Sequence, residues 1–319
     1  MREYGPGRPL VFSHIPKTAG TSLSAALRQS LQPAVFVQGF DTSLFGGYDD
    51  IDGIRPEQRA TVYLSPEQIP ADAALVAGHI SPGTTMARFP GSDHITILRT
   101  PQVRIFSQWL HSRAVSEFHI RHWGSAAEGF RAGWAPLREY LEHRMVAPNV
   151  DNTITRFLAW PHPVLRKDEF LDEAHDEELL AAALERLDAF GHANVAENPR
   201  FMADLGAWLG RDLPDTRLNE RRWVPPKKRP DLAAEVGDTD TRALLDHRSR
   251  LDVEVWDHVA RRVLPGADPA ETREAAIRTA VERYGTMLDE PNPDGPMRRA
   301  VEWLYDVRVR LDPRLPARR

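Results

Sequence analysis

The stretch that most restricts what this chain can fold into is PLVFSHIPKTAGTSLSAALRQ, Pro9 to Gln29. It opens as an apolar run of strand length (Pro9–Ser13), passes through a Pro-Lys-Thr-Ala-Gly-Thr-Ser turn, and continues as a helical pattern from Thr21 to Gln29. Strand residues that are apolar in succession expect burial on both faces, as in a parallel sheet covered by helices. A strand–loop–helix unit aims several backbone N–H groups at one point, with the positive end of the helix dipole behind them, and so suits an anion. Lys17 adds a point charge, Thr18, Thr21 and Ser22 add hydroxyl donors, and Gly20 permits close backbone approach. Thr21 or Ser22 is also expected to cap the helix. The Gly-Lys-Ser/Thr ending of a nucleoside triphosphatase loop is missing.

Two further runs, AALVAGHI (Ala73–Ile80) and DHITILR (Asp93–Arg99), are continuous apolar segments of strand length, and AVFVQGF (Ala34–Phe40) is a shorter candidate. The FGGYDDIDG segment reads as a loop. A helix is expected to start at Pro101, because proline is preorganised for a first helical position. Helical patterns run from there to about Trp160, with breaks near Gly124 and Pro148, and recur over Asp176–Phe190, Pro199–Gly210 and from about Thr241 to the end, broken by DEPNPDGP. The Arg211–Asp240 connection, with RRWVPPKKRPD, is too long and too charged for an idle turn. Strands early and helices late predict a three-layer α/β fold of P-loop type, with a central mainly parallel sheet flanked by helices and a helical C-terminal half. The expected division is a main domain over residues 1–265 and a C-terminal helical extension over 266–319 packed on it.

Composition narrows the chemistry. With 41 basic against 46 acidic residues in 319, the formal charge is -5, so no nucleic-acid-coating surface is expected and an anion site must be built locally. The absence of cysteine excludes disulfides, thiolate zinc sites and cysteine nucleophiles. No stretch of about 18 apolar residues is present, and neither a membrane span nor a signal segment is expected. The reading is a cytoplasmic protein, and its Ala, Arg and Pro richness hints at a GC-rich bacterial genome.

In ITILRTPQVRIFSQW, Arg99 stands at the C-terminal end of a strand, where open α/β sheets hold ligands. Ser107 follows on the next helix, three residues after Arg104. An arginine fork and a serine hydroxyl together suit a second phosphate. Among the histidines, His79 follows Gly78 at a strand end and is the preferred candidate for a general base. His14 is expected to pack beside the loop. His119 and His122 in FHIRHW lack a third ligand at suitable spacing, so no metal is expected.

At this point the chain resembles a known family, the sulfotransferases that use 3′-phosphoadenosine 5′-phosphosulfate (PAPS). HIPKTAGTS is similar to their 5′-phosphosulfate loop and LRTPQVRIFSQW to their 3′-phosphate motif. The carbohydrate group, including heparan sulfate 2-O- and 6-O-sulfotransferases, is the nearer likeness, and AGHI, DNTITRFL and LDVEVWDHV extend it over roughly Leu10–Arg261. The resemblance implies PAPS as co-substrate without a metal, held by Lys17, Thr18, Ala19, Gly20, Thr21, Ser22, Arg99 and Ser107. Catalysis would rest on Lys17 at the bridging oxygen and His79 as base. Asn152 and Arg156, four apart in DNTITRFL, would belong to the acceptor or donor wall, and Lys227, Lys228 and Arg229 would close over the nucleotide or attract an anionic acceptor. The family usually has aspartate where Thr100 stands, so altered local bonding is expected there. The acceptor would be a hydroxyl-bearing saccharide or small molecule. Two alternatives stand beside this reading: an ATP-dependent kinase, for which the triphosphate-loop ending is lacking, and a non-catalytic nucleotide-binding protein of the same fold.

Overall fold

A computed structural model of the chain describes residues 2–44, 59–120, 123, 126–166, 168–214 and 224–290. The protein is α/β, built on five parallel strands in the order β2-β3-β1-β4-β5. These are β1 (Leu10–Ser13), β2 (Phe36–Val37), β3 (Leu75–Gly78), β4 (Asp93–Leu98) and β5 (His192–Val195). The central strand β1 pairs with β3 from Leu10↔Leu75 to Ser13↔Gly78 and with β4 from Leu10↔Asp93 to Phe12↔Ile95.

The apolar runs alternate between two buried faces, as period-2 geometry requires. Leu10, Phe12, Leu75, Ala77, Ile95 and Ile97 pack beneath α1 (Gly20–Leu31), through Leu23 and Leu27. Val11 and Val76 face the other way, toward Ile69, Ile80 and Phe89 at the end of α2 (Pro82–Arg88). Helix α3 (Pro101–Ala114) follows β4 with Pro101 in its first turn, where the expected helix start falls. Under the β4–β5 side, Leu98 and Val195 meet Ile154, Phe157 and Leu158 of α4 (Thr153–Ala159), Ala183 and Leu187 of α5 (Asp176–Asp188), and Trp256 of α7 (Arg250–Val263). Leu205 and Leu209 of α6 (Phe201–Leu209) join the face beneath α1. The last described helix, α8 (Pro269–Asp289), shares one core with α3, in which Ile277, Ala280, Tyr284 and Leu288 meet Val103, Phe106 and Trp109.

The early-strand, late-helix order needs one correction: β5 follows α5. Its sequence, His-Ala-Asn-Val, carries no apolar run, and it is an edge strand whose first two residues are half-buried. The second strand is shorter than its apolar run, ending at Val37, although Phe40 continues the line through bridges to Val62 and His79. The FGGYDDIDG loop lies outside the described residues. No helix among the described residues is long and apolar enough to cross a membrane.

Candidate functional site

The chain fills β3 and β2 on one side of β1 and β4 and β5 on the other, so the connections part at the C-terminal end of β1. Open α/β sheets leave a crevice at that position. A cavity of about 2660 Å³ lies there, and His14, Lys17, Ala19, Gly20, Thr21, Ser22, His79, Arg99 and Ser107 all line it.

The loop after β1 has an unusual backbone. Lys17 (φ 69°) and Ala19 (φ 67°) are both left-handed, with Thr18 between them outside that region. Each costs a non-glycine residue about 1–2 kcal/mol. Alternation of this kind curls successive N–H groups into a concave nest that favours anions. Helix α1 then begins with Ala19 as N-cap and no side-chain cap. The expected cap by Thr21 or Ser22 is therefore not made, because Ala19 holds the N-cap position. Thr18 is also revised: it is fully buried and its hydroxyl donates to the Ile15 carbonyl at 2.9 Å, so it stiffens the loop from within. Gly20 is needed for a different reason than expected. A Cβ there would sit 1.9 Å from the His14 ring, so the helix start packs on an imidazole.

That imidazole leads to His79. The two rings are 4.3 Å apart, and His79 Nδ1 lies 2.6 Å from the His14 carbonyl oxygen. A carbonyl only accepts, so Nδ1 carries the proton and Nε2 keeps a free lone pair, the tautomer a base requires. Burial pushes the His79 pKa down to about 4; the Lys17 charge pushes the same way, while the His14 carbonyl and Asp41 oppose them. Burial also holds His14 well below the usual imidazole range, helped by His79 and Lys17. Both rings are neutral at physiological pH.

The backbone around His79 is fixed from β2. Its N–H donates to Gly39 O at 2.8 Å, and its carbonyl accepts from Asp41 N at 3.2 Å. Gly78 admits this approach, because a Cβ there would fall 2.7 Å from Gly39 O. Asp41 is the hub. Its buried carboxylate accepts from the amides of Ser43 (3.0 Å) and Ser81 (2.8 Å) and from the hydroxyls of Ser43, Ser81 and Thr84. The Asp-Thr-Ser string carried that signal, since a side chain bonding its own backbone two residues on is typical of aspartate turns.

Arg99 reaches across the cavity floor, donating to Lys17 O at 3.3 Å and to the Tyr284 hydroxyl of α8 at 3.1 Å. Ser107 stands nearly two turns into α3 and lines the same cavity. Thr100 bonds to the carboxylate that follows β5. Its amide and hydroxyl both donate to Glu197 Oε1, at 2.8 and 2.7 Å, while Glu197 Oε2 accepts from Trp256. An aspartate at Thr100 would face that carboxylate with another.

Five expected contact residues fall elsewhere. Asn152 is fully buried, and its Oδ1 accepts the Leu251 and Asp252 amides that open α7. Asp252 in return accepts the Ile154 and Thr155 amides that open α4, so the two helices cap each other. Arg156 is 4% exposed and is spent on Asp151 and on the carbonyls of Arg166 and Glu169. Both are structural because burial leaves them no open face. Lys227, Lys228 and Arg229 do not line the cavity: Lys227 is exposed, the Lys228 ammonium sits 3.4 Å from the centre of the Trp134 ring, and Arg229 donates to the Val224 and Glu290 carbonyls. The side chains of His119 and His122 lie outside the described residues. Among the described residues no group of three or more His, Asp or Glu is arranged to hold a metal.

A scan against protein-family models finds no family that matches the chain, and a search of curated proteins finds no match either.

Proposed function

We propose that the protein is a sulfotransferase on a P-loop-type α/β fold, moving a sulfuryl group from PAPS to an acceptor hydroxyl. The observation that carries this reading is convergence: the nest after β1, Lys17, Arg99, Ser107 and the free Nε2 of His79 all border one cavity. The nest and the uncapped start of α1 suit the 5′-phosphosulfate, and the Arg99 fork with the Ser107 hydroxyl suits the 3′-phosphate.

Sulfuryl transfer makes the demands of phosphoryl transfer, namely in-line geometry and stabilisation of charge on the leaving oxygen. Lys17 and the N–H groups from Thr18 to Ser22 hold the oxygen that gains charge as the sulfur–oxygen bond breaks, and one such donor is worth about 3 kcal/mol. His79 Nε2 takes the acceptor proton as the new oxygen–sulfur bond forms. Its depressed pKa keeps it unprotonated at neutral pH. The dianionic phosphosulfate, placed beside it, opposes the effect of Lys17 and raises its basicity when the donor is bound. The products are a sulfate ester and 3′-phosphoadenosine 5′-phosphate (PAP).

The test is calorimetric titration of PAP, AMP and ATP with magnesium into wild type and Lys17→Ala. Metal-independent binding of PAP, tighter than AMP and weakened in the variant, is expected. Preference for ATP with magnesium would replace this reading with the kinase.

A further inference from the structure

One imidazole of the cavity touches both the nest and the base. His14 directly follows β1. Its N–H donates to Gly78 O at 3.2 Å and its carbonyl accepts from His79 Nδ1 at 2.6 Å, so its backbone is tied to both residues of the Gly-His pair. Its ring stacks on Phe12, with centroids 5.3 Å apart and planes 10° apart, and meets the His79 ring at 4.3 Å with a tilt of 39°. The ring edge that carries Cδ2 and Nε2 lies against the first residue of α1, where a Cβ on Gly20 would come within 2.0 Å of both atoms. His14 is half-buried and lines the cavity beside Lys17 and His79. Packing alone does not call for an imidazole there: a phenyl ring would stack on Phe12 as well and bring no polar nitrogen to desolvate. In-line transfer puts the sulfur between the leaving phosphate oxygen and the acceptor oxygen. With the first oxygen in the nest and the second at His79 Nε2, the sulfur crosses the space beside the His14 ring.

We propose that His14 is a second catalytic histidine, whose ring N–H donates to a non-bridging oxygen of the sulfuryl group and holds that group in line between Lys17 and His79. This rests on the sulfotransferase reading. Burial, His79 and Lys17 hold the His14 pKa well below the usual imidazole range, so the ring carries one N–H and no charge. A neutral imidazole beside a helix start can align and polarise an oxygen without giving up its proton. The step then balances as one bond for another. The acceptor oxygen bonds to sulfur, the bond from sulfur to the bridging phosphate oxygen breaks, and PAP leaves with the electron pair. The hydroxyl proton goes to His79 Nε2, and His14 ends the step with the proton it began with.

Calorimetric titration of PAPS and PAP into the full chain, as wild type, His14→Phe and His14→Ala, reads the contact, because only PAPS carries the sulfuryl group. Loss of one hydrogen bond to a charged group is expected to weaken PAPS by about ten-fold or more in both variants, while PAP changes by less than about three-fold. The phenyl variant keeps the stack on Phe12, and the alanine variant carries the test if the larger ring does not fit beside Gly20. Near-normal PAP affinity reports that each variant folds. A variant that holds PAPS as tightly as wild type would overturn the proposal. So would equal weakening of PAPS and PAP in both, which would make His14 a support of the loop and nothing more. Loss of the donor reading shows separately, as failure of wild type to bind PAP.

Discussion

Replacing Asp41 with asparagine tests how His79 is presented. The carboxylate meets only donors: Oδ1 takes the Ser43 amide and hydroxyl, and Oδ2 takes the Ser81 amide and the Ser81 and Thr84 hydroxyls. An amide group offers one acceptor oxygen, and in either flip its NH2 faces a buried backbone N–H that cannot rotate away. Hydroxyls can turn, but the Ser43 or Ser81 amide is left unpaired. One unsatisfied buried donor plus the loss of charge-assisted bonds amounts to about 3 kcal/mol. At roughly 2 °C per kcal/mol for a chain of this size, Tm is expected to fall by about 6 °C in scanning calorimetry at pH 7.5. The same change removes a negative charge that raises the His79 pKa, so the His79 titration followed by NMR moves further down. PAP affinity is expected to hold, because the loop after β1 makes none of these bonds. A Tm within about 1 °C of wild type would refute the reasoning, since the donors around Asp41 would then have found other partners.

Three further outcomes are expected. His79→Gln keeps the ring position polar but removes the base, so turnover falls by about 10²–10⁴-fold while PAP binds as before; equal loss of both would make His79 structural. Stability falls as pH drops through the histidine range. Burial pushes both His79 and His94 down to about 4 and holds His14 well below its ordinary value, so between pH 6.5 and about 4 the unfolded chain binds protons that the folded chain refuses. His79 and His94 each contribute about 3 kcal/mol of stability above pH 6.5 that is lost by pH 4, a large part of a typical total of 5–15 kcal/mol. Denaturant midpoints that stay flat over that window would contradict this. Tyr284→Phe removes the hydroxyl that Arg99 donates to, and is expected to weaken PAP by about five-fold while leaving AMP unchanged. Equal weakening of both nucleotides would mean that α8 acts only through packing.

The centre of the fold was legible because its signals are local. The β1–loop–α1 unit and the β4–Pro101 junction each place an apolar run directly beside a helix start, and both stand within a residue or two of where the pattern puts them. Strand β5 was not legible, because an edge strand of His-Ala-Asn-Val takes its identity from pairing with Ile95–Leu98, far away in the chain. Asn152 and Arg156 illustrate the same limit from the other direction. Four-residue spacing in a helical stretch looks like a surface face, but Asn152 is matched to α7 about a hundred residues later, so its burial is decided by a partner that spacing does not reveal. Gly20 was read toward a ligand, whereas the group that excludes a side chain is the ring of His14, six residues earlier. Tyr284 and Asp41 became visible only when α8 met Arg99 and when the loops after β2 and β3 met each other.

The most direct test is a crystal structure of the protein with PAP. The account predicts the 5′-phosphate within hydrogen-bond distance of the Lys17 ammonium and the backbone N–H groups from Thr18 to Ser22, with the 3′-phosphate on the Arg99 guanidinium and Ser107 hydroxyl. The His79 Nε2 atom should face the open side of the 5′-phosphate. A nucleotide bound with its two phosphate ends exchanged, or lodged away from the loop after β1, would contradict it.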